Sequence, residues 1–407
     1  MENFKMIPGG ICAPAGFSAA GVHCGIRHNH SKLDLALIKA DVRCAGAGCY
    51  TTNKVYGAPI TVDREHLKDG YAQAIVVNSG NANTCAPNGI ELAKETCEIV
   101  AKELGISADD VLPSSTGVIG QAMSIEPFAK GIPEAAAKLA ATEAGSHDAA
   151  TAIMTTDTHS KEVSIEFTIG GKTCRMGAIA KGSGMIHPNM ATMLLFSTTD
   201  AKVEPAVLQA ALSSVVPATF NQISVDGDTS TNDTCFALAS GAAAPDGPAF
   251  TPGTPAFDAF QRALDQLATT LARKMAADGE GATHLITVTV RGAATADDAD
   301  AAARTVANSP LVKTAVYGHD ANWGRVAAAL GRSGARLNHE DVDFYILVLP
   351  VCRAGLVVDF DEEEALRRFE EPEVAIEVDL HAGEESATMW TCDFSHEYVT
   401  INGDYRS

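Results

Sequence analysis

A threonine ahead of an apolar run is the residue of this sequence best suited to nucleophilic chemistry. In KGSGMIHPNMATMLLF, residues 181–196, Ala191 and Thr192 precede Met-Leu-Leu-Phe, which has the pattern of a buried strand. A threonine hydroxyl is a weak nucleophile unless a base lies beside it, and cleavage of the Ala191–Thr192 bond would supply the free α-amine of Thr192 as that base. Such an amine has an ordinary pKa of about 7.7–8.0, so it exchanges protons near neutral pH. From the residues alone, a buried structural threonine bonded to the backbone is the favoured interpretation, and the nucleophile is the alternative.

Three further stretches combine glycine with polar side chains. In SSTGVIG, Thr116 and Gly117 could present a hydroxyl and a backbone N–H to an oxyanion, or form an ordinary turn. In DGEGATHLI, Glu280 lies between two glycines, as a ligand for a substrate ammonium group or as a surface charge at a helix end. The tail EYVTINGDYRS is predicted to be a strand that frays into solvent.

Composition excludes several classes of protein. The chain has 407 residues, 46% hydrophobic and 20% charged, which predicts a soluble globular protein of two domains or one large one. A net charge of −21 argues against nucleic-acid binding. No apolar run is long enough to span a membrane and no export signal is visible, so we expect a cytoplasmic protein with its ten cysteines reduced. HCGIRHNH, residues 23–30, matches no zinc spacing and is predicted to be a surface loop, so no metal is expected.

The elements that must position these residues alternate along the chain. AIVVNSG and VLPSSTGVIG are predicted strands, and ELAKETCEIVAKELG between them is a predicted helix. The pattern around Gly170-Gly171 predicts a hairpin. After Thr192 we predict two helices, EPAVLQAALSSVV and FDAFQRALDQLATTLARKMAADG, a linker-like loop over 242–257, and strands in HLITVTV, DFYILVLP, VAIEVDL and EYVTING. The sequence therefore predicts an α/β architecture of layered sheets and helices.

Together these motifs resemble the ornithine acetyltransferase family, also called glutamate N-acetyltransferase, of the cyclic arginine pathway. The likeness extends nearly end to end. It includes AGCYTTNKVYGAP, VNSGNAN, STGVIG, MTTDTHSK, KGSGMIHPNMATML, FNQISVDGDTSTNDT, DGEGATHLI, VANSPLVKTAVYGHDANWGR and INGDYRS. The two longest strings make a chance match implausible.

The resemblance implies a layered α-β-β-α sandwich like that of N-terminal-nucleophile hydrolases. It implies self-cleavage into an α chain, 1–191, and a β chain, 192–407, that assemble as an α2β2 heterotetramer. Thr192 would be the nucleophile, and Thr116 and Gly117 the oxyanion hole. The resemblance also implies these substrate-binding residues: Thr155, Lys181, Thr192, Glu280, Asn402 and Ser407. Many relatives end on Thr where this chain has Ser407, so the hydroxyl is retained there.

The reaction implied by the resemblance is ping-pong transfer of acetyl from N-acetylornithine to glutamate, with no cofactor. Acetyl-CoA enters only as a second acetyl donor for glutamate, and neither nucleic acid nor a membrane is expected as a partner. Two other interpretations stay open at this point. One is an amidohydrolase or aminopeptidase on the same self-cleaving scaffold, and the other is a non-catalytic regulator that binds amino acids.

Overall fold

The computed structural model describes residues 4–187, 193–243 and 251–405, so Ala191, Thr192 and Ser407 lie outside the described residues. The chain divides into two compact units. The first takes its described residues from 4–182, 193–221 and 229–271, and the second from 183–187, 222–228 and 272–405. The predicted chain boundary at 191/192 is a different kind of division, a peptide bond rather than the border of a unit, and it stays a prediction.

The first unit is built on one sheet of nine strands. They run in the order β1-β6-β7-β8-β10-β3-β4-β5, with β2 paired to β3 off this path. Its strands are β1 (Lys5–Met6), β2 (Phe17–Val22), β3 (Leu35–Tyr50), β4 (Tyr71–Asn81), β5 (Val111–Val118), β6 (Lys161–Ile169), β7 (Lys172–Lys181), β8 (Leu194–Thr199) and β10 (Thr234–Ala239). Its helices are α1 (Ala58–His66), α2 (Gly89–Leu104), α3 (Glu126–Lys138), α4 (Glu143–Ala152), α5 (Pro205–Ala218) and most of α6 (Pro255–Ala277), within which the division between units falls.

Strand β3 lies between the two halves of this sheet, with β1, β6, β7, β8 and β10 on one side and β4 and β5 on the other. On one edge, its pairing with β4 shifts register between Lys39 and Cys44. On the other edge, residues 35–40 pair with β2 and residues 45–50 with β10. Because side chains alternate along a strand, Val77 of β4 faces a core shared with Phe196 of β8 and Phe236 of β10. The opposite face of β4 carries Val76, which packs in a second core with residues of α2 and α3.

Helix α5 forms the other outer layer and packs on β3. Its Gln209 bonds both backbone groups of Gly48 in β3, with Oε1 3.0 Å from the amide nitrogen and Nε2 3.1 Å from the carbonyl oxygen. Helix α6 lies beside α5, since the side chain of Gln261 donates to the carbonyl of Ala211 over 3.5 Å. Helices thus cover both outer faces, and the predicted α-β-β-α layering is confirmed within the first unit.

The hairpin of β6 and β7 was predicted correctly and carries residues of the site. Gly170 and Gly171 have φ values of 55° and 79°, the left-handed backbone that a two-residue turn requires and glycine adopts readily. The resulting register places Lys161 opposite Ala180. Consequently Lys181, at the end of β7, lies beside the start of β6.

The second unit has a seven-stranded sheet in the order β14-β13-β12-β15-β11-β16-β9. Its elements are β9 (Ile223–Ser224), β11 (Leu285–Ala293), α7 (Ala296–Ala307), α8 (Pro310–Tyr317), α9 (Trp323–Gly331), β12 (Asp343–Ile346), β13 (Leu349–Arg353), β14 (Leu356–Val357), α10 (Glu362–Arg368), β15 (Glu373–Asp379), β16 (Glu385–Cys392) and α11 (His396–Gly403). Its core packs Ile286 and Val288 of β11 with Ala302 and Val306 of α7. No helix of the described part of the chain is long and apolar enough to cross a membrane.

Three predictions of local structure were wrong. The tail EYVTING is not a strand but helix α11, which begins where the Ser395 hydroxyl accepts the backbone N–H of Glu397. Such a cap outweighs the strand preference of a β-branched run. DFYILVLP is not one strand, because Leu347 and Val348 have φ values of 53° and 67° and turn the chain from β12 into β13. The predicted loop over 242–257 ends early, because Pro255 already starts α6, where its missing N–H has no cost.

Candidate active site

The predicted oxyanion-hole residues lie where two parallel strands end side by side. Thr116 and Gly117 of β5 are paired with Ser79 and Gly80 of β4. Gly117 has a φ of 133°, and a Cβ there would lie 2.3 Å from the carbonyl carbon of Gly80 and 2.5 Å from the amide nitrogen of Asn81. Only glycine fits this position, so the surface of the step carries no side chain there.

Lys181 brings two of the predicted hydroxyls together. Its Nζ lies 2.8 Å from Oγ1 of Thr155 and 3.3 Å from Oγ1 of Thr116. In its ammonium form lysine only donates, so both threonine oxygens accept, and each hydroxyl hydrogen remains available to a further acceptor. Burial lowers the pKa of Lys181, as does the charge of Lys161, while Asp157 and Asp233 oppose this.

Asp157, to which the sequence analysis gave no role, holds the backbone next to Thr155 and Lys181. Its Oδ1 accepts from Nζ of Lys161 and from the amide of Gly182, both at 2.7 Å, and its Oδ2 accepts from the amide of Thr155 at 2.9 Å. The side chains of Asp157 and Lys161 are 0% and 2% exposed. Burial by itself would raise the pKa of Asp157, but the charges of Lys181 and Lys161 and the hydrogen bonds bring it below its ordinary value. One carboxylate thus holds the backbone on either side of the Lys181–Thr155 contact.

Asp157→Asn should destabilise the protein by about 3–5 kcal/mol at pH 7, since it removes the buried carboxylate that pairs with Lys161 and whose charge also acts on Lys181. The pKa of Asp157 is lowered on folding, so its stabilisation is complete above the unfolded value of about 3.9 and is lost as the pH falls below it. Urea unfolding from pH 7 to pH 3 measures this. The difference between wild type and variant should shrink over the acid end of that range. Asp148→Asn, at an exposed carboxylate, is the control and should cost little. Equal stability of Asp157→Asn and wild type at pH 7 would contradict this role.

A second buried carboxyl lies beside the residue that follows Thr192. Asp233 immediately precedes β10 and is 2% exposed, and its Oδ2 has no hydrogen-bond partner among the described residues. Burial raises the pKa of Asp233 well above its ordinary value, although the Ser230 hydroxyl, the charge of Lys181 and the amide of Met193 each lower it. A carboxyl in this setting retains its proton at a higher pH than usual.

In the second unit, Glu280 is aimed by the helix that the sequence analysis missed. Nδ2 of Asn402 donates to Oε2 of Glu280 over 2.6 Å and to the carbonyl of Tyr398, one turn earlier in α11, over 3.0 Å. Glu280 is 5% exposed, and its carboxylate lies against Gly184, where a Cβ would be 2.4 Å from both carboxylate oxygens. Asn402 and Glu280, both predicted to bind substrate, are therefore in direct contact.

Asp226, another residue without a predicted role, holds residues 185 and 186, which follow Gly184. Asp226 accepts from the amides of Met185 and Ile186 over 2.6 and 3.0 Å, and from the hydroxyl of Tyr398 over 3.4 Å. Burial raises the pKa of Asp226. Within the second unit this gives a group of two carboxylates and a phenol, a setting that suits a substrate ammonium.

Sequence analysis thus identified six site residues that the structure describes. In the structure, four of them lie together in the first unit: Thr116, Gly117, Thr155 and Lys181. Glu280 and Asn402 are in contact in the second unit. Asp157, Asp226 and Asp233 were missed, although MTTDTHSK and FNQISVDGDTSTNDT were recognised as motifs. Each of these aspartates also bonds a backbone group far away in sequence, such as Gly182 for Asp157 and Met185 for Asp226, and no local pattern predicts such a bond.

Comparison with known proteins decides the family. The ArgJ family model matches residues 18–407 of this chain. The chain belongs to the ArgJ family. The ArgJ proteins of Symbiobacterium thermophilum and Caldanaerobacter subterraneus subsp. tengcongensis, each named arginine biosynthesis bifunctional protein ArgJ, are both 50% identical to it, over 99% of this chain and 100% of theirs. Among solved structures, the ArgJ protein of Bacillus halodurans is 44% identical with a TM-score of 0.51, over 53% of this chain and 100% of that one. As an ArgJ protein, the chain is an acyltransferase of arginine biosynthesis.

Proposed function

We propose that this ArgJ protein transfers the acetyl group of N-acetylornithine to glutamate through an acetyl ester on Thr192. The contact of Lys181 with the hydroxyl oxygens of Thr116 and Thr155 is the observation that carries the proposal. It leaves the Thr116 hydrogen free to donate next to the Gly117 backbone, which suits a developing oxyanion. The same contact supports substrate binding by Thr155 and Lys181.

In the first half of the reaction, the Thr192 hydroxyl attacks the acetyl carbonyl and its α-amine accepts the hydroxyl proton. The carbonyl oxygen becomes an oxyanion that the Thr116 hydroxyl and the Gly117 N–H stabilise. When the C–N bond breaks, the α-ammonium returns the proton to the leaving nitrogen of ornithine. In the second half, the glutamate amine attacks the ester, and Thr192 regains its hydroxyl as N-acetylglutamate leaves.

Charge assigns the remaining contacts. Glu280, with Asn402 on one oxygen, binds the side-chain ammonium of the ornithine substrate, and Lys181 attracts a substrate carboxylate. Asn402 and Ser407 complete the substrate contacts. Thr155 has a hydroxyl hydrogen to donate, so it suits a carboxylate oxygen as well.

The nucleophile requires cleavage between Ala191 and Thr192, which we propose the protein performs on itself. The length of a solved relative supports this. Residues 192–407 make up 53% of the chain, and the whole solved chain of the Bacillus halodurans protein matches 53% of this one. We further propose that the two products, 1–191 and 192–407, remain together as an α2β2 assembly.

Product analysis tests the proposed function. Wild-type protein incubated with N-acetylornithine and glutamate should form N-acetylglutamate and ornithine in equal amounts, with little free acetate. Acetate as the main product would instead indicate an amidohydrolase.

The relatives are named bifunctional, so we extend the proposal to acetyl-CoA as a second donor. Formation of N-acetylglutamate from acetyl-CoA and glutamate alone is the corresponding assay.

Thr116→Ala should lower kcat about 10²–10³-fold, because one oxyanion donor is lost. Steady-state kinetics with N-acetylornithine and glutamate measure it. Thr116→Ser is the matched control, because it retains the hydroxyl and should retain most of the rate. Near-normal turnover by Thr116→Ala would remove this hydroxyl from the mechanism.

A further inference from the structure

Asn232 is a buried amide whose hydrogen-bonding capacity is fully used. Its Nδ2 donates to the carbonyl of Ala82 over 2.6 Å and to that of Ser115 over 3.0 Å. Its Oδ1 accepts from the hydroxyls of Thr84 over 2.7 Å and Thr231 over 2.5 Å. Because carbonyls only accept, the two Nδ2 contacts determine which way the amide faces. The side chain is therefore fixed at all four positions.

One of these bonds reaches the oxyanion-hole step. The Ser115 carbonyl belongs to the peptide unit that ends in the N–H of Thr116, so Asn232 holds the peptide immediately before Thr116. The ladder between β4 and β5 is irregular here, since Asn81 is paired with both Thr116 and Val118. Regular strand pairing does not fix the step by itself, and the Asn232 amide supplies a restraint from outside the ladder.

The backbone of the same residue leads directly to the strand of the nucleophile. Two residues after Asn232, the amide of Thr234 donates to the carbonyl of Met193 over 2.8 Å, and Thr234 is paired with Leu194 in the parallel register of β10 and β8. Met193 is the residue that follows Thr192. The three residues 232–234 thus connect the peptide before Thr116 to the residue after Thr192.

We propose that Asn232 is a positioning residue for acyl transfer, whose amide sets the place of the Thr116–Gly117 step relative to the strand that follows Thr192. This rests on the proposed function, since it assumes that the step and Thr192 act on the same acetyl group. A displacement of about 1 Å between reacting groups can cost about a hundredfold in rate. A purely structural asparagine would change stability instead, with no separate effect on turnover.

The test compares Asn232→Asp with Thr84→Val. Asn232→Asp keeps the shape and the acceptor for both threonine hydroxyls but loses the two donors to Ala82 and Ser115. Thr84→Val removes a buried hydroxyl bond from the same cluster and leaves the bond to Ser115 in place. Melting temperatures are measured first. The kcat and KM for N-acetylornithine are then measured well below both transitions, per molecule cleaved at 191/192.

We expect both variants to melt earlier than wild type, but only Asn232→Asp to lose about a hundredfold in kcat, with KM changed less than about twofold. Asn232→Ala should reproduce the loss of kcat, and it replaces the aspartate variant if that one does not fold. An unchanged kcat in a folded Asn232 variant, or an equal loss in Thr84→Val, would overturn the proposal. Absence of acetyl transfer by the wild type would instead refute the proposed function, so the two failures are distinguishable.

Discussion

Thr192→Ala should accumulate as one unsplit chain of 407 residues without acetyltransferase activity. The variant lacks the hydroxyl that attacks the preceding carbonyl, so the chain is not cleaved and no α-amine is released at position 192. It also lacks the nucleophile that accepts the acetyl group. Denaturing electrophoresis measures the first effect and an N-acetylglutamate assay the second, which should fall to the background rate.

Thr192→Ser is the matched control for this experiment. A serine retains the hydroxyl and would generate the same α-amine, so cleavage and some acetyl transfer should persist. If Thr192→Ala were split at 191/192, or were active as an intact chain, another residue would be the nucleophile.

Glu280→Gln should reduce kcat/KM for N-acetylornithine about 10–150-fold, mostly through KM. The substitution retains the oxygen that accepts from Asn402 but removes the charge opposite the substrate ammonium. A hydrogen bond to a charged group contributes about 1.5–3 kcal/mol, and losing that much binding energy weakens affinity about 10–150-fold. Steady-state kinetics with varied N-acetylornithine provide the measurement.

Glu397→Gln is the control, because Glu397 is an exposed carboxylate near the start of α11. It should leave kcat/KM within about twofold of wild type. A normal KM for N-acetylornithine in Glu280→Gln would mean that the substrate ammonium binds elsewhere.

Local signals account for the elements that were predicted well. The helix ELAKETCEIVAKELG has a helical apolar period, and Gly105 after it adopts a φ of 68°, the left-handed cap that glycine favours. The Gly170-Gly171 hairpin follows from the same kind of local preference. The tail helix α11 was missed because Val399, Thr400 and Ile401 favour a strand, whereas the cap at Ser395 decides the outcome.

The candidate site was predictable only in part, for a related reason. Thr116, Lys181 and Glu280 were found because motifs carry them and because their chemistry is evident from residue type. Asp157 holds the amide of Gly182 and Asn232 the carbonyl of Ser115, residues far from them in sequence, and only the fold brings these groups together. Lys181 was predicted only as a substrate-binding residue, and its bonds to the hydroxyls of Thr116 in β5 and of Thr155 between α4 and β6 emerge only from the fold of the first unit.

The most direct test of the acetyl-threonine account is the mass of the wild-type protein under denaturing conditions, before and after brief incubation with N-acetylornithine alone. We predict two fragments, 1–191 and 192–407, and one added acetyl group on the second fragment, located at Thr192 and removed by glutamate. An unsplit chain that transfers acetyl groups, or an acetyl group located on any other residue, would contradict the account.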